Sequence, residues 1–136
     1  PQGFLEFEPL IPKSNRIESI KELFRLCQHY KCQSLLCAMK SHKVDDYMIS
    51  YSADGYSIGI DIQIAGRSSD QIRQFSNAIY NYTLECGGKI FLAKDELLPA
   101  DVFKQMYPRY KEFLELKKKV DPNKLFQSDM YRRLFI

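Results

Sequence analysis

The order of hydrophobic periods predicts an α+β fold of the ferredoxin-like kind: an antiparallel βαββαβ sheet with two helices on one face, followed by a helical C-terminal tail. Three observations carry this expectation. Residues 3–12 alternate apolar and polar side chains. Residues 56–64 alternate too, with Ile58, Ile60, Ile62 and Ile64 on one side and Ser57, Gly59, Asp61 and Gln63 on the other. Each of these strand patterns is followed by a stretch of helical period.

In the first strand Leu5 and Phe7 oppose Glu6 and Glu8, and Pro9 and Pro12 are expected to stop it. Ser14 and Asn15 offer N-caps, with Glu18 three residues beyond Asn15. Ile17, Ile20, Phe24 and Cys27 then predict the buried stripe of a first helix. Residues 33–40 (QSLLCAMK) read as a second strand and 41–46 as a polar loop. Residues 47–51 read as an additional strand, joined by a tight Asp54-Gly55 turn to the strand over 56–64. Ser68 is placed to cap a second helix, with Gln71 at the capping-box position. Ile72, Phe75, Ile79 and Tyr82 or Thr83 form its buried stripe, and Gly87-Gly88 closes it with left-handed backbone. Residues 89–93 (KIFLA) are the last strand. Beyond them 95–98 is a loop, 100–106 a short helix, and 109–120 a helix begun by Pro108. Asp121-Pro122-Asn123 turns the chain, and Phe126, Met130 and Leu134 space a final helix. This aromatic tail has no sheet of its own and is expected to pack on something outside the chain.

Composition narrows the function classes. The chain has 136 residues, 45% hydrophobic and 27% charged, which excludes disordered and collagen-like proteins. That length suits one domain with a real core, burying roughly two thirds of the unfolded surface. No apolar run approaches the ~18 residues of a membrane span. The opening Pro1-Gln2-Gly3-Phe4 carries no leader pattern and reads as a cut inside a longer protein. A net charge of +3 does not argue for a nucleic-acid partner, and Tyr56-Ser57-Ile58-Gly59-Ile60 lacks the aromatic pattern of an RNA-binding sheet. Cys27, Cys32 and Cys37 recur every five residues, a spacing of neither zinc hook nor redox motif, and His29 and His42 are the only histidines. The cysteines, with Cys86, are expected to be free core residues in a reducing, cytoplasmic setting.

Two helices cover one face of a sheet. The other face would collect Glu6, Glu8, Lys40, Ser57, Gly59, Asp61 and Gln63. A face turned merely to solvent is polar as well. Gly59 favours a ligand face, since a glycine inside an isoleucine-rich strand often marks close approach by a ligand or another backbone. Mixed acids, lysine and small residues suit a polyhydroxy ligand. No nucleophile triad, P-loop or G-x-G-x-x-G motif is present.

The C-terminal third carries an ordered set of motifs: GGKIFLAKD over 87–95, FKQMYPR over 103–109, KVDP over 119–122, FQSDM over 126–130, then Arg132-Arg133-Leu134. Together these resemble the C-terminus of FAD-dependent oxidases of the vanillyl-alcohol-oxidase type, and in particular the branch that oxidises decaprenylphosphoryl-ribose. FLEFEPLIP, LLCAMK and DGYSIGID resemble the substrate (cap) domain of that family more weakly. The resemblance implies a cap domain over 1–92 and, over 93–136, a segment returning to an FAD-binding domain whose remainder is absent. It implies FAD as cofactor, bound mainly by the absent half, and oxidation of a CH–OH group of a sugar or polyprenyl-phospho-sugar. Lys94 matches the family lysine that touches flavin and substrate; pairing with Asp95 or Glu96 is the structural alternative. Lys40 matches a lysine of the substrate pocket. Glu6 and Glu8 stand where the branch has glutamines, and Ser57 and Gly59 where it has asparagine and cysteine, so the pocket floor differs. Tyr107, Arg109, Arg132 and Arg133 match the motifs but are expected to pack or pair between domains. No nucleic acid is expected; a partner reductase and peripheral membrane association stay open. The alternatives are an aldonolactone oxidase with a soluble substrate and a free-standing ferredoxin-like binding module.

Overall fold

The computed structural model describes residues 3–15 and 17–136. The first strand forms as two pieces, β1 (Phe4–Phe7) and β2 (Pro9–Pro12). Both pair antiparallel with β4 (Gly55–Gln63), Phe7 opposite Ile60 and Leu10 opposite Ser57, so one register runs across the break at Glu8. Pro9 has no N–H to continue the ladder, so the prolines divide the strand where the sequence pattern has them ending it. β3 (Cys37–His42) pairs with the other edge of β4, and β5 (Lys89–Ile90) with β2. Taking β1 and β2 as one strand, the order β3-β4-β1/β2-β5 is the ferredoxin-like sheet.

Two glycines let strands and turns close. A Cβ on Gly55 would lie 2.3 Å from the Ile11 carbonyl oxygen, and one on Gly88 would lie 2.2 Å from that of Leu10. Gly87 ends the second helix with φ +68°.

α1 (Ile17–His29) buries Leu23 and Cys27, while Ile17 is 66% and Phe24 39% exposed. The buried stripe is therefore rotated from the expected one. α2 (Ser69–Glu85) starts where Ser68 Oγ accepts the Gln71 N–H at 3.1 Å. The Gln71 amide does not close the capping box; it donates to the Tyr30 carbonyl at 2.9 Å and ties α2 to the end of α1. Ile72, Phe75, Ile79 and Thr83 face the sheet, with Thr83 buried where Tyr82 is only partly so. Phe75 meets Phe7 edge-on, ring centroids 5.4 Å apart.

Residues 47–51 form no strand. The segment crosses the helix-free face instead and spends its polar groups there: Tyr51 Oη donates to the Glu8 carbonyl at 2.9 Å, and the Ser50 carbonyl accepts from Lys89 at 2.6 Å. The second strand begins at Cys37 rather than 33, because Leu35 and Leu36 sit in an irregular approach and are exposed. β5 is only two residues long: the Phe91 N–H makes the last in-register bond, to the Glu8 carbonyl opposite it (3.0 Å), after which Leu92–Lys94 coils into a 3₁₀ turn.

α3 (Ala100–Met106), α4 (Tyr110–Val120) and α5 (Asp129–Phe135) follow. The tail was expected to pack outside the chain, yet part of it joins the main core. Val102, Phe103, Met106, Tyr107 and Leu134 are buried with the sheet and α2, and Tyr107 Oη donates to the Ile90 carbonyl at 2.6 Å. Burying each such side chain stabilises by about 1.5–3 kcal/mol. α4 buries no residue, and Leu116, Val120, Leu125 and Phe126 are exposed.

All four cysteines are free, but only Cys27 and Cys32 are buried; Cys86 is half-buried and Cys37 exposed, against the expectation of a uniformly buried set. Burial pushes the Cys27 thiol up to about 11. Native protein should therefore label at Cys37 first and at Cys86 more slowly. Cys27 and Cys32 should react only on unfolding. Mass spectrometry of a labelling time course checks this; early modification of Cys27 would contradict the packing described.

Candidate functional site

Alternation puts a set of polar residues on the helix-free face. Glu6 pairs across strands with Asp61, Lys40 with Ser57, and Ala38 with Gly59. Glu8 lies between them with its side chain 2% exposed. Its Oε1 accepts from Lys40 Nζ and from Ser57 Oγ, each at 3.0 Å, and its Oε2 lies 3.0 Å from Lys94 Nζ. Its carbonyl accepts from both Tyr51 Oη and the Phe91 N–H, and the second of these bonds fixes the turn that delivers Lys94. Lys94 also donates to Glu6. Asp95 and Glu96, its neighbours in sequence, are not its partners: Asp95 is buried on the other side, against Arg133 and Tyr80.

Burial pushes the Glu8 carboxyl up, but hydrogen bonds from Lys40, Lys94 and Ser57 outweigh it and hold the group below its ordinary 4.5. Hydrogen bonds to Glu6 and Glu8 raise the Lys94 ammonium, against desolvation, so it stays cationic at neutral pH. An ammonium has three N–H donors. Glu6 takes one of them and Glu8 Oε2 holds the ammonium as an ion pair, which fixes where Lys94 sits.

Ser57 is fully buried. Its hydroxyl donates to Glu8, so the oxygen accepts from His42 Nε2 at 2.8 Å, which assigns the proton to that ring nitrogen. His42 stands edge-on to Tyr51 (centroids 5.3 Å), and Tyr51 lies against Phe91 at 5.0 Å. Ser57 and Glu8 thus support the face from beneath. Lys40, Lys94 and Glu6 remain reachable, with side chains 49%, 33% and 32% exposed. Gly59 does not mark a forced close approach: a Cβ there would meet Glu6 Oε1 at 3.6 Å and the Ala38 carbonyl at 3.8 Å, both ordinary contacts.

Asp61 completes the face. Burial, then the charges of Glu6 and Glu8, raise its carboxyl, with Lys94 opposing. With Glu6, Phe4, Leu35 and Leu36 it lines a cavity of about 510 Å³. His42 and Tyr51 are the site residues that the sequence reading missed. Period two from Lys40 points to His42; Tyr51 sits in an irregular segment and leaves no such signal. Among the described residues no group of three or more His, Cys, Asp or Glu side chains suits a metal.

The net depression of the Glu8 carboxyl makes a pH prediction. A carboxyl lowered by folding stabilises the protein above its unfolded value, and that stability is lost as pH falls through the folded value. Glu8→Gln should therefore lower the thermal midpoint near neutral pH, and the gap to the parent should close as pH drops below 4.5. A gap unchanged from neutrality down to about pH 3 would show that Glu8 is not held ionised by its lysines.

Comparison with known families bears on this geometry. A model of sugar-lactone oxidases matches residues 4–134, nearly the whole chain. The chain belongs to the D-arabinono-1,4-lactone oxidase family. It is 29% identical over 133 residues to decaprenylphosphoryl-beta-D-ribose oxidase of Mycolicibacterium smegmatis, covering 97% of this chain and 28% of that protein. It is also 29% identical over 86 residues to an uncharacterized protein in the mprA 5′ region of Streptomyces coelicolor, covering 63% of this chain and 23% of that one. The chain thus spans about a quarter of the length of these relatives.

Proposed function

We propose that the full-length protein is an FAD-dependent oxidoreductase that oxidises a CH–OH group of a sugar or sugar-phospholipid, and that this chain supplies the substrate side of its active site. The observation that carries the reading is Lys94: a cation one-third exposed, gripped by Glu6 and Glu8 on the polar face that the helices leave open. FAD, when bound, accepts the hydride from the substrate carbon. Lys94 fits contact with the flavin ring, since a positioned ammonium stabilises negative charge as it appears there. The pyrophosphate needs a glycine-rich loop that these 136 residues lack, so most of the cofactor's hold lies elsewhere in the protein. Lys40 and Glu6 line the face where hydroxyls would be held, over the support of Glu8, Ser57 and Gly59.

On this reading residues 1–92 form the substrate (cap) domain and 93–136 the segment returning to the FAD-binding domain. The exposed Leu116, Val120, Leu125 and Phe126 support an interface with that domain, while α3 packs on α2 and α5 packs on α3. The alternative substrate is a soluble aldonolactone, which the family description favours. No helix among the described residues is long and apolar enough to cross a membrane.

The test is anaerobic mixing of the FAD-loaded full-length protein with D-arabinono-1,4-lactone and, separately, with a detergent-dispersed polyprenyl-phospho-ribose. Bleaching of the flavin by either supports the oxidase and selects the substrate. A flavin left oxidised by both overturns the reading.

A further inference from the structure

We infer that Asp61 is a catalytic residue of this face: its carboxylate binds the reacting hydroxyl of the substrate and takes the hydroxyl proton as hydride leaves the same carbon. This inference rests on the oxidase reading above. Three carboxylates face the site, and two are committed. Glu8 gives its oxygens to Lys40, Ser57 and Lys94, and Glu6 closes on Lys94. Asp61 Oδ1 and Glu8 Oε2 are both buried and, among the described residues, without a hydrogen bond, but Glu8 Oε2 has the Lys94 ammonium 3.0 Å away and Asp61 Oδ1 has no such ion pair.

A buried acceptor without a donor is a cost that a ligand O–H removes. The side chain lines the cavity of about 510 Å³ bounded by Phe4, Leu35, Leu36 and Glu6, which has room for a sugar ring. Its backbone is held firmly: the Asp61 N–H donates to Ser34 Oγ at 2.9 Å, and its carbonyl accepts from Leu35 at 2.9 Å. The charged and titratable groups around it are Glu6 from β1, Glu8 from the strand break, Lys94 from the 3₁₀ turn and Cys37 from β3. Burial first, and then the charges of Glu6 and Glu8, make Asp61 a stronger base than a solvated aspartate, as proton abstraction needs.

The step balances. The hydroxyl O–H bond breaks and its proton goes to Asp61 Oδ1, while the electron pair left on oxygen forms the C=O bond. The C–H bond breaks with its pair transferred to the oxidised flavin. Lys94 stays protonated throughout. The same charges set orientation: Glu6 and Asp61 repel a phosphate or carboxylate, so the end of the substrate that enters this cavity is neutral and hydroxyl-bearing, and any anionic group lies outside.

The experiment uses the FAD-loaded full-length protein and whichever of the two probes above bleaches the parental flavin. Asp61→Asn should slow flavin reduction by at least about a hundredfold and remove the rise of the rate with pH that an ionising base produces. A second readout needs no turnover. In parental protein carrying ¹³C-labelled aspartate, the Asp61 carboxyl carbon should titrate above the ordinary 3.8 and move down in Glu6→Gln. Reduction of Asp61→Asn at the parental rate overturns the assignment of Asp61 alone, as does a carboxyl titrating at or below the ordinary value. A parental flavin that neither probe bleaches overturns the oxidase reading and this inference together.

Discussion

Lys94→Ala in the flavin-loaded full-length protein is expected to slow anaerobic flavin reduction by about a hundredfold or more, roughly 3 kcal/mol of transition-state stabilisation. The expectation follows from where the ammonium sits. Glu6 and Glu8 fix it, and its ionisation is reinforced by those hydrogen bonds. Charge that appears only during hydride transfer meets a donor already in place, so the loss should fall on kcat as well as kcat/KM. Lys94→Arg should restore little, because a planar guanidinium cannot put one donor at the same point while satisfying both carboxylates. A lysine that merely closed a surface ion pair would contribute less than about 1 kcal/mol of stability and nothing to turnover. Single-turnover reduction, in variants shown to retain FAD, separates the two. An alanine variant reduced at the parental rate rejects the role.

The fold was legible wherever one period dominates. Alternation over 56–64 marked β4, and helical spacing after Ser68 marked α2, because each element buries a single face and its side chains must repeat with the backbone. Pro9 misled for a physical reason: a proline interrupts a ladder, but register survives when the next residue rejoins it, as Leu10 does opposite Ser57. Residues 47–51 were unreadable because Tyr51 and Ser50 are held by single long-range hydrogen bonds, which have no period. The stripe on α1 shifted because Leu23 and Cys27, one helical turn apart, are the residues turned to the core, which leaves Ile17 and Phe24 outside it.

The site divides in the same way. Glu6, Glu8, Lys40 and Ser57 share a face by strand parity, which the alternation displays directly. The partners of Lys94 do not follow from spacing, since Glu6 is 88 residues away and meets it through the pairing of β5 with β2, which Phe91 extends to the Glu8 carbonyl. Asp61 was visible as a member of the face. Its unpaired oxygen emerges only once the other two carboxylates are matched to their lysines.

Asp95→Ala is expected to destabilise the chain by about 3–4 kcal/mol, the largest stability effect of any single substitution proposed for it. The Asp95 side chain is 1% exposed and serves three donors. Oδ1 accepts from Tyr80 Oη at 2.5 Å; Oδ2 accepts from the Leu98 N–H at 2.9 Å and from the Arg133 guanidinium at 3.1 Å. Burial holds the Tyr80 phenol far above its ordinary value, so it remains an O–H donor at every working pH. Truncation strands that buried hydroxyl, frees the Leu98 N–H and leaves Arg133 without its counter-charge. The Tyr80 hydroxyl and the Leu98 N–H cannot reach bulk water without opening the core, so their losses add, while the partly exposed Arg133 contributes less. Arg133 also donates to the carbonyls of Leu98 (2.7 Å) and Asp95 (2.9 Å), which pins α5 to the segment that follows Lys94. Arg133→Ala should cost less, about 1–2 kcal/mol, since its side chain is 28% exposed and Asp95 keeps its other two donors. For a chain of this size the Asp95 loss corresponds to a fall of roughly 10–15 °C in Tm. Urea unfolding of parent and variant measures it, and a free-energy difference under about 1 kcal/mol would show that the Tyr80–Asp95–Arg133 junction does not hold the tail to the sheet.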